Sequence, residues 1–185
     1  MSIESNGLGT SRKPYIPLKT LVRGERFLLE PYKDEPLKIQ FTFSGGQEID
    51  GYAFLLNRDR KVRYDEDLIF FGNTSDSMNA IINDGCQFTV TLRKISPDIE
   101  TVCIVYAIYT ENCRQTFANI KNARLDIQFQ GKNIACFPLE SLPNVTALVT
   151  VELYRHKGQW KLKAIGQGYQ DTLRSLCERF GVEVA

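Results

Sequence analysis

Apolar and polar residues alternate with period two through most of this chain, most cleanly between Val145 and Tyr169. On an incoming run, Val145, Ala147, Val149, Val151 and Leu153 fall on one face. On an outgoing run, Trp160, Leu162 and Ala164 alternate with Lys161 and Lys163. Both runs are predicted to be half-buried strands. Lys157-Gly158 between them suits the positive φ values of a tight hairpin turn. Gly166-Gln167-Gly168 is expected to end the pairing. The chain should then enter a short helix, Asp171 to Phe180, with Leu173, Leu176, Cys177 and Phe180 in one stripe and Gly181 as a left-handed cap.

Upstream, residues 1–13 are rich in Ser, Gly, Asn and Thr and read as a flexible tail ahead of a single domain over residues 14–185. A strand is expected from Val22 to Leu29. A second places Leu37, Ile39, Phe41 and Phe43 on one face. A third carries Ile49 and the apolar block Tyr52 to Leu56, and a short buried strand follows from Leu68 to Phe71. The segment 72–85 reads as a loop around Ala80-Ile81-Ile82. Alternation resumes at Cys86, Phe88, Val90 and Leu92, continues in Thr101 to Tyr109, and returns as a hairpin. That hairpin runs through Ala123, Leu125, Ile127 and Phe129, turns at Gly131-Lys132-Asn133 and ends in Ile134 to Phe137. About nine strands, with turn signals roughly every ten residues and one C-terminal helix, predict an all-β antiparallel β-sandwich. A closed barrel is the alternative, because period two does not say whether the sheets close.

Composition narrows the function. The formal net charge is +1 with 24% charged residues, too weak a field to draw nucleic acid by charge alone. Arg12, Lys13, Lys19, Arg23 and Arg26 cluster near the start and are read as flanking a strand. No secretory apolar core is visible and no apolar run approaches the ~20 residues of a membrane span, so a soluble, cytoplasmic protein is expected. The five cysteines, Cys86, Cys103, Cys113, Cys136 and Cys177, are odd in number and lack a C-x-x-C pair. Reduced thiols are expected, with no disulfide framework or zinc knuckle.

The string Glu152-Leu153-Tyr154-Arg155-His156-x-Gly158-x-Trp160-Lys161, then Ala164-x-Gly166-x-Gly168-Tyr169 and a terminal helix, resembles the end of the TerD family of tellurium-resistance and stress-response proteins. Ala53-Phe54-Leu55-Leu56, Asp67-Leu68-Ile69-Phe70-Phe71 and Gln115-x-Phe117 follow the family's order upstream. The resemblance covers roughly residues 20 to 185 and implies the same β-sandwich. It also implies calcium binding, other Ter-type stress proteins as partners, and action near the cytoplasmic face of the membrane.

The family's Asp-x-Asp corresponds here to Glu48-Ile49-Asp50, and its asparagines after the Phe-Tyr strand to Asn73. Its long acidic loop is shortened by roughly a dozen residues, leaving Asp76, Asn83, Asp84 and Gly85. The candidate calcium ligands are therefore Glu48, Asp50, Asn73, Asp76 and Asp84. Calcium takes about 6–8 oxygens, so the expectation is a module whose calcium binding is weakened or lost. A calcium sensor that keeps a site at the strand-loop end is the alternative.

Enzymatic chemistry finds little support. His156 is the sole histidine and is expected at a solvent-facing turn. Cys113, in a polar loop beside Arg114, is the thiol most open to activation, and a thiol-based tellurite-detoxifying enzyme would rest on it. Gly166-x-Gly168 lacks the third glycine of a phosphate cradle. The expected function is a non-enzymatic stress-response module acting through protein contacts.

Overall fold

A computed structural model describes residues 17–109, 115–169 and 173–183. Two six-stranded sheets pack face to face. The first holds β1 (Lys19–Thr20), β3 (Leu37–Ser44), β6 (Ile81–Asp84), β7 (Gln87–Val90), β9 (Lys121–Phe129) and β10 (Lys132–Pro138), in the order β1-β10-β9-β3-β7-β6. The second holds β2 (Arg26–Leu28), β4 (Ile49–Leu56), β5 (Leu68–Ile69), β8 (Thr101–Ile108), β11 (Ala147–His156) and β12 (Gln159–Tyr169), in the order β2-β12-β11-β8-β4-β5. Among these pairs only β1 with β10 is parallel.

Alternation decides the core. Ile39 and Phe41 from β3, Leu125 and Ile127 from β9, Val102 and Ile104 from β8, and Leu153, Trp160 and Leu162 from the β11–β12 hairpin meet between the sheets. The hairpin turns at Lys157 (φ 50°) and Gly158 (φ 75°), the two positive φ values of a type I′ turn whose twist matches the strands.

The second sheet buries part of its outer face as well. Helix α1 (Leu173–Arg179) and Phe180 set Leu176, Cys177 and Phe180 against Tyr52, Phe54, Leu56, Val105 and Val149. This explains the apolar block in β4, which is covered on both sides. Gly181 (φ 81°) ends the helix as predicted. Its N–H donates to the Glu178 carbonyl at 3.1 Å and that of Val182 to Cys177 at 2.8 Å, the two bonds of a Schellman cap. Among the described residues no helix is long and apolar enough to cross a membrane.

Four expectations change. The strand expected over Val22 to Leu29 shortens to Arg26–Leu28 in the second sheet, while Lys19–Thr20 just before it belongs to the first. Leu21 N–H still bonds Cys136 in the first sheet, while Gly24, at φ 83°, bonds Ala164 in the second. A left-handed glycine turns the chain across the sandwich in three residues. The strand expected from Leu68 to Phe71 stops at Ile69, and Phe71 sits on a turn at 72% exposure. Pairing does not end at Gly166 but runs to Tyr169, because a bulge at Gly166 (φ 60°) absorbs one extra residue of β12 between the Val151–Ala164 and Val149–Gln167 pairs. Within 72–85, β6 pairs with β7 where a loop was expected.

Candidate functional site

Glu48, Asp50 and Tyr52 stand at alternate positions at the start of β4 and open onto a groove of about 760 Å³. Its other walls are Phe71, Tyr109 and Leu173. The floor is fixed by close packing. Gly51 lies so near the β6–β7 turn that a Cβ there would stand 2.6 Å from the Gly85 carbonyl and 2.9 Å from the Phe88 ring. Cys86 Sγ donates to the Ile49 carbonyl at 3.4 Å, and Asn83 Nδ2 to the Gly51 carbonyl at 2.8 Å. The aromatic wall is a chain of rings. Tyr52 stacks on Phe70 at 6.2 Å, and Phe70 meets Phe71 edge-on at 5.2 Å. Phe71 and Tyr109 line the groove with the carboxylates and are 72% and 55% exposed.

The electrostatics follow from this packing. Partial burial, then the charge of Glu48, raises the Asp50 carboxyl above its ordinary range. Burial, then Asp50, pushes the Tyr52 phenol up to about 12. Burial, then Asp50, also raises the Cys86 thiol. The groove thus combines apolar and aromatic walls with two carboxylates that have no ion pair among the described residues.

Of the five predicted calcium ligands, the structure brings Glu48 and Asp50 together in this groove and uses the others locally. Asn73 closes the Phe70–Asn73 turn, its amide donating to the Leu68 carbonyl at 2.8 Å and the Glu66 carbonyl at 3.3 Å. Asp76 is buried and organises its own loop. It accepts from the backbone N–H of Ala80 (2.7 Å), Ile81 (2.8 Å) and Met78 (3.3 Å), a local side-chain competition with regular structure typical of Asp. Asp84 is exposed at the end of β6, opposite Gln87. Its neighbour Asn83 is the residue turned inward, with Oδ1 buried and unpartnered among the described residues.

Among the described residues no three acidic, histidine or cysteine side chains gather as a metal would need. Two carboxylates are fewer than calcium's roughly 6–8 oxygens, so the side chains gathered among the described residues do not by themselves complete a site for the ion. His156 is exposed beside the hairpin turn, as expected. Cys113 lies outside the described residues. Sequence reasoning passed over Phe71 and Tyr109. The signal available was Phe71-Gly72-Asn73, a Gly-Asn turn signature that takes Phe71 out of the sheet.

Comparison with known proteins follows the same lines. The TerD domain model matches residues 35–180. The chain is 31% identical over 153 residues to the tellurium resistance protein TerD of Serratia marcescens, covering 75% of this chain and 80% of that one. It is 28% identical over 159 residues to general stress protein 16U of Bacillus subtilis, covering 77% of this chain and 82% of that one. Among solved structures, a homologue of telluride resistance protein TerD from Streptomyces coelicolor A3(2) superposes with a TM-score of 0.63 at 16% identity, over 80% of this chain and 99% of that chain; that likeness speaks to the fold. Sequence and fold together place this chain in the TerD domain family of tellurium-resistance and stress-response proteins.

Proposed function

We propose that the chain is a non-enzymatic, cytoplasmic stress-response module that works by protein contact through the Phe71–Tyr109 groove, with the family's calcium binding weakened or lost. The observation that carries this reading is the pairing of two exposed aromatic rings with two carboxylates, Asp50 partly buried and Glu48 exposed beside it. Exposed aromatics beside a partly sheltered carboxylate are the composition of contact hot spots. The carboxylates select the occupant, a partner segment offering Lys or Arg among apolar residues. A cation there neutralises Asp50 and Glu48 while its alkyl stem lies against Phe71 and Tyr109. A tellurium resistance protein TerA from an Alcaligenes species matches this chain at 31% identity over 125 residues, so related Ter proteins are the natural first partners to try.

The test is survival of a tellurite-challenged host that depends on this chain, comparing the parent with Phe71→Ser/Tyr109→Ser and with Cys113→Ser. The double variant removes two exposed rings and should remain folded, with a cooperative melt, yet lose protection. Cys113→Ser should protect fully. Full protection by the double variant would refute the contact reading, and loss with Cys113→Ser would favour thiol chemistry.

A further inference from the structure

Helix α1 covers only part of the outer face of the second sheet. The uncovered part, over β2, β12, β11 and β8, carries charge in an arrangement the sequence does not display. Arg26 on β2 stands directly opposite Lys163 on β12, and Lys163 opposite Glu152 on β11. Like charges facing each other across a strand pair are destabilising. Glu152 does not relieve them, because its carboxylate is held by the Arg60 guanidinium. The Arg26 and Lys163 side chains have no ion pair or hydrogen bond among the described residues.

These side chains line a cleft of about 230 Å³ together with Thr101 and Tyr154. Thr101 is only 7% exposed. Among the described residues neither its hydroxyl nor that of Tyr154 is hydrogen-bonded. The cleft therefore combines two unpaired cations with two unused hydroxyl donors and one carboxylate already neutralised.

We infer that this cleft binds a phosphate group. Two uncompensated positive charges match a dianion. The Arg26 guanidinium and the Lys163 ammonium supply charge-assisted hydrogen bonds, and the Thr101 and Tyr154 hydroxyls supply neutral donors to the remaining oxygens. The group belongs either to a small soluble phosphate compound or to the headgroup of an anionic lipid. The inference is independent of the groove, which lies on another part of the sheet.

Backbone amide shifts of ¹⁵N-labelled protein are followed while inorganic phosphate is added at constant ionic strength, with chloride as control. In parallel, sedimentation is measured with phosphatidylcholine vesicles with and without phosphatidic acid. The expected result is saturable movement of the Arg26, Thr101 and Lys163 amides with phosphate, sedimentation with the phosphatidic acid vesicles, or both. Phosphate alone identifies a soluble ligand; vesicles alone identify a lipid headgroup. Arg26→Gln and Lys163→Gln should each weaken binding by at least about tenfold. Neither should lower the melting temperature, because each removes a repulsion. The inference is overturned if phosphate and vesicles both fail, if chloride moves the same amides equally, or if the variants bind as the parent does.

Discussion

Arg155 lies within the sequence string that carries the family resemblance, and its geometry makes the sharpest stability prediction. Its Nε donates to the Ile99 carbonyl at 3.0 Å, and Nη2 donates to the Ile95 and Ser96 carbonyls at 3.1 and 3.3 Å. The guanidinium stands 4.4 Å over the Trp160 ring, so one side chain ties the loop before β8 to the β11–β12 hairpin. The approach is reinforced from the other side, where Glu30 accepts the Trp160 N–H at 3.0 Å. Burial lowers the Arg155 pKa, which leaves a guanidinium charged at any working pH. Arg155→Ala removes the donors of three carbonyls and the cation over the indole. Hydrogen bonds to a charged group contribute about 1.5–3 kcal/mol, and a partly desolvated cation–π contact contributes about 1 kcal/mol more. A loss of about 3 kcal/mol corresponds to roughly 6–12 °C for a domain of this size. Arg155→Lys keeps the charge over the ring but not the fork, and should fall between the two. Thermal melts followed by tryptophan fluorescence report this directly, since Trp160 is the sole tryptophan. An alanine variant melting within about 2 °C of the parent would refute the reasoning.

Three further outcomes are expected. Gly51→Ala drives a methyl into the Gly85 carbonyl and the Phe88 ring and should destabilise by about 2 kcal/mol, seen as a drop in urea midpoint at unchanged slope. The raised Asp50 carboxyl means that the folded state binds a proton there more readily than the unfolded chain does. Its favourable contribution is present at low pH and is lost as pH rises through the carboxylate range. Asp50→Asn should accordingly melt higher than the parent at neutral pH, with the gap closing towards about pH 3; a gap constant across the range would contradict this. Metal-stripped protein should show no rise in melting temperature with millimolar calcium. A rise of roughly 5–10 °C, absent with magnesium and lost in Asp50→Ala, would establish a calcium site.

What the sequence revealed and what it hid divide along a physical line. Features set by neighbours within a few residues were legible. The alternation in β3, β9, β11 and β12 assigned each strand an inner face, Lys157-Gly158 fixed the hairpin turn, and Gly181 marked the helix stop. Asp76 shows how the same local logic misleads. A carboxylate after an asparagine turn looks like a cation ligand, yet the nearest donors are its own backbone N–H groups four and five residues on, and they occupy it first. The groove and the cleft were hidden for a different reason. Arg26, Thr101 and Lys163 are dispersed along the chain and unremarkable one by one. They converge because the second sheet runs β2-β12-β11-β8, an order that period-two patterning leaves open. Cross-strand register then places Arg26 against Lys163, and that repulsion, invisible in a net charge of +1, makes the face a place for an anion.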